Sequence, residues 1–288
     1  MHFTLSLLDL FPLFYILEGF LSQFFSVAPE SSSPLTPEKV EVKKGTIFGT
    51  KNQYTDTKKE EERQSCTVQA LTFLKHLLQN DNIDSPLIDQ CLTEGLEIFT
   101  TLSRRLHKER RAQARDYLIK QGAPAQEVNK FLRDNPGSPK EWSLMKFLSR
   151  YSKFDTKPAA QLLSGYSLST KEASRAFTDN LKEVTDTFAP LSSTEKQRQS
   201  LFEGKIPETG AGTVLTCNGL TTLVAKTKDR YVIYDSHRKT ALHPDNSAAY
   251  VKLLETPQEV AVFLASFFDY RTGGTNRVEM MTFTSYSP

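Results

Sequence analysis

Asp235-Ser236-His237 closes the apolar run Tyr231-Val232-Ile233-Tyr234, and Cys66 stands far upstream, at the start of a helical pattern. In an extended strand, side chains two residues apart share a face, so Asp235 and His237 can meet without help from the rest of the fold. The carboxylate can fix the imidazole tautomer while the other ring nitrogen takes a proton from a thiol. Gln53, thirteen residues before Cys66, carries an amide able to donate to an oxyanion. These are the parts of a thiol hydrolase: Cys66 as nucleophile, His237 as base, Asp235 as orienting carboxylate and Gln53 as oxyanion donor.

The elements that must position them follow from periodicity. Thr46-Ile47-Phe48 predicts a short strand leading to Gln53, and the charged stretch from Asp56 to Arg63 predicts a solvated loop. Ala70, Leu71, Leu74, Leu77 and Leu78 form a helical stripe, with Ser65 as N-cap and Cys66 in the first turn. Further helices are expected over 85–107, 108–121, 125–134, 141–152, 169–189 and 194–203. The period then changes to two, predicting strands over 213–217, 220–226 and 230–235, with Lys228-Asp229 as a turn. Helices over 247–255 and 257–270 follow, the second with Thr256 as N-cap and Pro257 at its first position. A last strand is expected from Arg277 to Thr284. Helices first and an antiparallel sheet second make an α+β chain.

Each residue has a competing structural reading. A free cysteine is often a small core hydrophobe, but a helix N-terminus stabilises a thiolate, and Cys66 also has partners to work with. Cys91, among Ile88, Leu92 and Leu96, and Cys217, in a strand, read as inert. His243, in a loop before Pro244, is the other candidate base, without a strand carboxylate beside it; His2, His76 and His107 are poorly placed. Asp235 can be a turn former at a strand end, and Gln53 a polar residue near a strand. Arg104 to Arg111 reads as a solvated basic helix face, with docking on an acidic surface as the alternative. Trp142 reads as packing for the helical part.

The chain has 288 residues, 38% hydrophobic and 24% charged, with net charge +2. That balance describes a globular core and gives no reason to expect a nucleic-acid partner. Three cysteines make no disulfide framework and suit a reducing compartment such as a cytosol. No His/Cys spacing fits a metal site and no glycine-rich phosphate loop is present, so no metal or cofactor is expected. Residues 1–28 form an apolar leader whose length suits a bilayer. Asp9, Glu18, Pro12 and Gly19 interrupt it, and no Lys or Arg precedes Lys39. It reads equally as a membrane anchor or targeting segment and as an apolar helix buried against the domain. Residues 29–45, rich in Pro, Ser and charge, read as a linker. The folded domain is expected over 46–288, with a helical lobe at about 66–203 and a sheet lobe at about 213–285.

The segments NQYTDTKKEEERQSCTVQAL and GTVLTCNGLTTLVAKTKDRYVIYDSHRKT resemble the ubiquitin-specific cysteine protease domain at the N-terminus of herpesvirus large tegument proteins. That resemblance spans roughly 46–285, with motif only at its two ends. It implies a papain-like two-lobed fold, with the thiol on a helix and the imidazole on a sheet. It also implies hydrolysis of the bond after the C-terminal glycine of ubiquitin, with Gln53, Cys66, Asp235 and His237 in the roles given above. The partner is then ubiquitin or polyubiquitin, and the protein is expected to act as a monomer. The apolar leader and the long, basic helical middle depart from the viral pattern and fit a stand-alone protease near a membrane, such as one delivered into a host cell. A Gly-Gly substrate end needs a narrow channel. The loop from Gly204 through Gly210 to Gly212 is a candidate wall, with Glu203 and Glu208 as partners for arginines of the ubiquitin tail. Two rivals stand beside this reading: a cysteine protease for another ubiquitin-like modifier or for peptides, and an inactive, membrane-tethered ubiquitin-binding module.

Overall fold

The computed structural model of the protein describes residues 45–57, 64–80, 82–136, 143, 146–147, 149–150, 157–163, 168–237, 246–268 and 276–286. The described residues all fall within one compact unit, 42–288. The leader at 1–28, the linker up to residue 44, Trp142, His243 and most of the helix expected over 141–152 lie outside the described residues. Among the described residues, no helix is long and apolar enough to cross a membrane.

Among the described residues, seven strands form one antiparallel sheet: β1 (Thr46–Phe48), β2 (Leu181–Leu191), β3 (Ala211–Cys217), β4 (Leu220–Lys226), β5 (Tyr231–Asp235), β6 (Tyr250–Leu254) and β7 (Asn276–Ser285). Their spatial order is β1-β6-β5-β4-β3-β7-β2. Strand alternation sends Val214, Leu223, Val232, Tyr234, Val251 and Met281 to one face. There they bury against Leu71, Phe73, Leu74 and Leu77 of helix α1 (Cys66–Gln79) and Ile88, Cys91 and Phe99 of helix α2 (Ser85–Lys120). Phe73 stacks on Tyr234 with ring centroids 4.4 Å apart, and each such buried side chain stabilises the docking of α1 by about 1.5–3 kcal/mol. Beyond α2 come α3 (Ala125–Asp134), α4 (Lys157–Leu163), α5 (Thr170–Ser174), α6 (Glu195–Glu203) and α7 (Pro257–Phe267). The opposite sheet face, with Leu215, Val224, Ile233, Tyr250 and Met280, packs on Phe202 of α6 and Val260, Phe263 and Phe267 of α7. A separate small core joins the far half of α2 to α3 and α4 through Leu118, Val128, Phe131 and Leu163.

Two glycines let α1 lie close to its neighbours. A Cβ on Gly95 of α2 would stand 2.8 Å from the Gln69 Cα, and one on Gly212 of β3 would stand 2.4 Å from a Leu74 methyl. The α1–α2 crossing and the seat of α1 on the sheet both depend on the missing side chain.

The expected mixture of helices and an antiparallel sheet is what the chain forms. β1 and β4 have the expected limits, and α7 opens with Thr256 and Glu259 in a reciprocal capping box, with Pro257 in the first turn. Four elements differ. α4 (Lys157–Leu163) falls in none of the expected helices. The helices expected over 85–107 and 108–121 are one continuous α2, because nothing in the basic stretch breaks the hydrogen-bond ladder; Asp84 caps it by accepting from the Leu87 N–H. The helix expected over 169–189 stops early: α5 passes through a 3-10 turn at Arg175–Phe177 into β2, which pairs with β7. The β-branched and aromatic residues Val184, Thr185, Thr187 and Phe188 favour that outcome. The stretch expected to be helical over 247–255 contains β6, hydrogen-bonded to β1 on one side and β5 on the other. Pairing on both edges overrides a local helical pattern.

Of the basic run, Arg110 bonds Glu172 of α5, and Arg111 donates to the backbone carbonyls of Leu132 and Asn135 at the end of α3. These two arginines tie helices together rather than forming a purely solvated face.

Candidate active site

Asp235 is the last residue of β5 and is fully buried. His237 lies two residues on, in a bend just past the strand. Asp235 Oδ1 accepts the His237 backbone N–H at 3.0 Å and sits 2.6 Å from His237 Nδ1. The carboxylate is therefore both the turn former and the imidazole's partner. The turn does what strand alternation alone was expected to do, because the ladder ends at Asp235. Tyr250 of β6 is directly opposite Asp235 in register, and its buried phenol faces the same carboxylate. Burial first, then the Asp235 charge and hydrogen bonding, push the ionisation of that phenol well above its ordinary value.

Gln53 is buried on the loop after β1. Asp89 of α2 clamps that loop, accepting from the Thr50 N–H at 2.8 Å, the Thr50 hydroxyl at 2.6 Å and the Lys51 N–H at 3.2 Å. The Gln53 backbone N–H then donates to the Ser236 carbonyl at 2.9 Å, and the Ser236 hydroxyl donates to Gln53 Oε1 at 3.0 Å. The residue between Asp235 and His237 thus fixes both the position of Gln53 and which end of its amide is the carbonyl.

Cys66 opens α1 and is 6% exposed. Ser65 occupies the N-cap position, but its helical backbone angles turn the hydroxyl away and it makes no cap hydrogen bond. Burial alone would raise the thiol's pKa. The neighbouring His237, by hydrogen bonding and charge, and then the Thr221 hydroxyl and the Thr67 backbone N–H, outweigh it, so the thiol ionises below its ordinary value. His237 shows the converse. Burial lowers its pKa, but the Asp235 charge and hydrogen bond, with Cys66 behind them, raise it to about 10. His237 Nε2 is buried and makes no hydrogen bond of good geometry. The thiol is its electrostatic neighbour rather than an aligned acceptor in this conformation, as is common in sites without substrate. A thiolate beside an imidazolium, with a carboxylate behind the ring, can attack a carbonyl and then protonate the departing amine.

The structure brings Gln53, Cys66, Asp235 and His237 together at one end of the sheet. It does not bring Glu203, Glu208, Gly210 or Gly212 there. Gly212 pairs with Ala225, and the Gly210 N–H bonds the Lys226 carbonyl. Ala225 and Lys226 stand four and five residues along β4 from Thr221, roughly 13–17 Å from it at strand rise. Gly212 is buried against Leu74, while Glu203 and Glu208 are exposed at that far end. The glycines there serve packing and a turn, with Gly210 at φ +82°, and the channel-wall expectation is withdrawn.

Cys91 is buried, and burial, with the nearby Glu94 charge, pushes its thiol up to about 12; Cys217 is buried as well. His76 is held by Glu94 at 2.7 Å. Among the described residues, no group of three or more His, Cys, Asp or Glu side chains is placed to hold a metal ion.

Four contributors escape the sequence reading: Ser236, Tyr250, Thr67 and Thr221. Ser236 and Tyr250 have no chemical signature of their own. Thr221 has a faint one. The Asn218-Gly219 step predicts a two-residue hairpin, which sets Thr221 opposite Thr216.

No family model matches the chain, and no curated protein matches it. Among solved structures, it is similar to the ubiquitin-specific protease encoded by murine cytomegalovirus tegument protein M48, in complex with a ubiquitin-based suicide substrate. That similarity has a TM-score of 0.48 and 11% identity, over 85% of this chain and 88% of that one. The Pseudomonas avirulence protein AvrPphB is similar at a TM-score of 0.36 and 9% identity, over 76% of this chain and 90% of that one.

Proposed function

We propose that the protein is a cysteine protease of papain-like plan that cuts after the C-terminal glycine of ubiquitin. One observation carries the chemistry: a buried Asp235–His237 pair couples to a thiol at the first residue of α1, and the two groups shift each other's ionisation in opposite directions. The choice of ubiquitin rests on the sequence resemblance around Gln53, Cys66 and Asp235-Ser236-His237.

In this reading the Cys66 thiolate attacks the glycine carbonyl carbon, forming a C–S bond and an oxyanion. The Gln53 amide N–H and the Cys66 backbone N–H donate to that oxyanion. The His237 imidazolium gives its proton to the leaving lysine amine as the C–N bond breaks, leaving a thioester. Neutral His237 then takes a proton from water, whose oxygen attacks the thioester and restores the thiolate. Asp235 holds the ring in one tautomer throughout, with its charge balancing the imidazolium.

The test is to incubate the full chain with a ubiquitin probe bearing a C-terminal electrophile and to map the adduct by mass spectrometry. An adduct on Cys66, absent in Cys66→Ala, is expected. Labelling at Cys91 or Cys217, or no labelling at all, would overturn the reading. Labelling of Cys66 only by a probe built on another ubiquitin-like modifier would move the substrate and keep the chemistry.

A further inference from the structure

The face of the sheet beneath α1 carries a row of polar side chains at the Cys66 end. Thr221 of β4, Thr216 of β3 and Glu279 of β7 are consecutive partners across three strands. Two helix starts lie over them. Thr67, in the first turn of α1, places its hydroxyl 3.0 Å from that of Thr221, and Thr170, opening α5, donates to Glu279 Oε2 at 3.0 Å. Thr216 and Thr221 stand 3.0 Å apart through their hydroxyls, while Thr216 and Thr170 are 3.5 Å apart. All the threonines except Thr216 are buried.

Counting protons gives this network one orientation that uses every hydroxyl. A hydroxyl donates once and accepts twice. Thr170 spends its proton on the Glu279 carboxylate. Thr216 has a choice between Thr170 and Thr221, and the shorter contact is to Thr221. Thr67 reaches Thr221 at the same distance. When Thr221 accepts from both Thr67 and Thr216, its own proton is left for the Cys66 sulfur, the neighbour whose ionisation the Thr221 hydroxyl lowers.

We propose that Thr221 is a positioning residue that donates its hydroxyl proton to the Cys66 sulfur, held in that orientation by Thr67 and Thr216. It rests on the reading of Cys66 as the nucleophile. The hydroxyl adds to the stabilisation that the neighbouring His237 gives the thiolate before substrate arrives. The Asn218-Gly219 hairpin, with both residues at positive φ (52° and 81°), is the local feature that sets Thr216 against Thr221.

The experiment measures the rate of Cys66 alkylation by iodoacetamide against pH in the full-length protein, with the modified site assigned by mass spectrometry. In Thr221→Val the midpoint should move up by about one pH unit, and the rate on the acid side should fall about 10-fold, the effect of one hydrogen bond to a charged group. Thr221→Ser should keep the wild-type midpoint, and Thr216→Val should shift it in the same direction by less. If Thr221→Val does not fold, Thr221→Ala compared with Thr221→Ser carries the same requirement. A packing role alone would change stability and leave the midpoint in place, so equal midpoints for the Val or Ala variant and the wild type would overturn the proposal. Alkylation needs no ubiquitin. A Thr221-dependent midpoint without ubiquitin-probe labelling therefore sinks the protease reading alone, and probe labelling with an unmoved midpoint sinks only this one.

Discussion

A single oxygen of Asp235 engages His237 twice, at 2.6 Å from Nδ1 and at 3.0 Å from the backbone N–H. The same carboxylate thereby sets the chain direction after β5 and the tilt of the imidazole. A residue with this double task cannot be replaced without moving the ring as well as losing its charge.

His237→Ala is expected to lose turnover of a ubiquitin-fluorophore conjugate on the order of 10⁴-fold or more, and Asp235→Ala about ten times less, since His237 moves protons and Asp235 orients the group that does. Steady-state kinetics decide it. Full activity in His237→Ala would pass the role to His243.

Gln53→Ala is expected to lower kcat by about 10²–10³, the usual result of removing one oxyanion donor. Ubiquitin affinity should change little, because the charge appears only in the transition state. Ser236→Ala removes the hydroxyl that fixes the Gln53 carbonyl end and should lose activity in the same direction by a smaller factor. A Gln53→Ala variant with normal kcat and weakened binding, read from an inactive Cys66→Ala background by calorimetry, would make Gln53 a contact residue instead.

The grouping of the four site residues was legible because each piece is local. Asp235-Ser236-His237 closes a strand through its own short-range turn, and Cys66 opens a helix whose apolar stripe is plain in sequence. Ser236, Tyr250 and Thr221 were not legible in the same way. Each acts through a partner distant in sequence: Gln53, a carboxylate on the next strand, and the first turn of α1. β6 was misread for a related reason, since pairing with β1 and β5 on its two edges decides it. The glycine-rich stretch before β3 suggested a channel by composition alone, and only strand register put it at the wrong end of the sheet.

Gly95→Ala should destabilise the fold by about 1–3 kcal/mol, the range for overpacking a filled core. The added methyl would meet the Gln69 Cα at 2.8 Å and its backbone N at 3.1 Å, atoms that can retreat only if α1 shifts and carries Cys66 with it. Gly204→Ala, where the nearest atom is 3.9 Å away, is the matched control. Urea unfolding followed by circular dichroism gives both values. Equal midpoints for the two variants would mean that the α1–α2 crossing is looser than the contact implies.

The pH profile follows from the sign of each shift. The Cys66 thiol ionises below its ordinary value, and His237 keeps its proton up to about 10 instead of its usual 6.5. Between those limits both groups are charged. Acid removes the nucleophile by protonating the thiolate. Base removes the proton that His237 must deliver to the leaving amine. For an isopeptide substrate, kcat/KM should therefore rise from the acid side as the thiolate forms, at a pH below the ordinary thiol range, and fall again near pH 10. The limbs belong to the pair as a unit, since two strongly coupled groups titrate together. Alkylation by iodoacetamide needs only the thiolate and should show the acid limb alone. In Asp235→Asn the alkaline limb should move down, because the charge that holds the proton on His237 is gone. An isopeptide profile with one limb near pH 6.5, and no loss beyond pH 10, would mean that His237 starts the reaction neutral and that the thiolate–imidazolium pair is not the resting state.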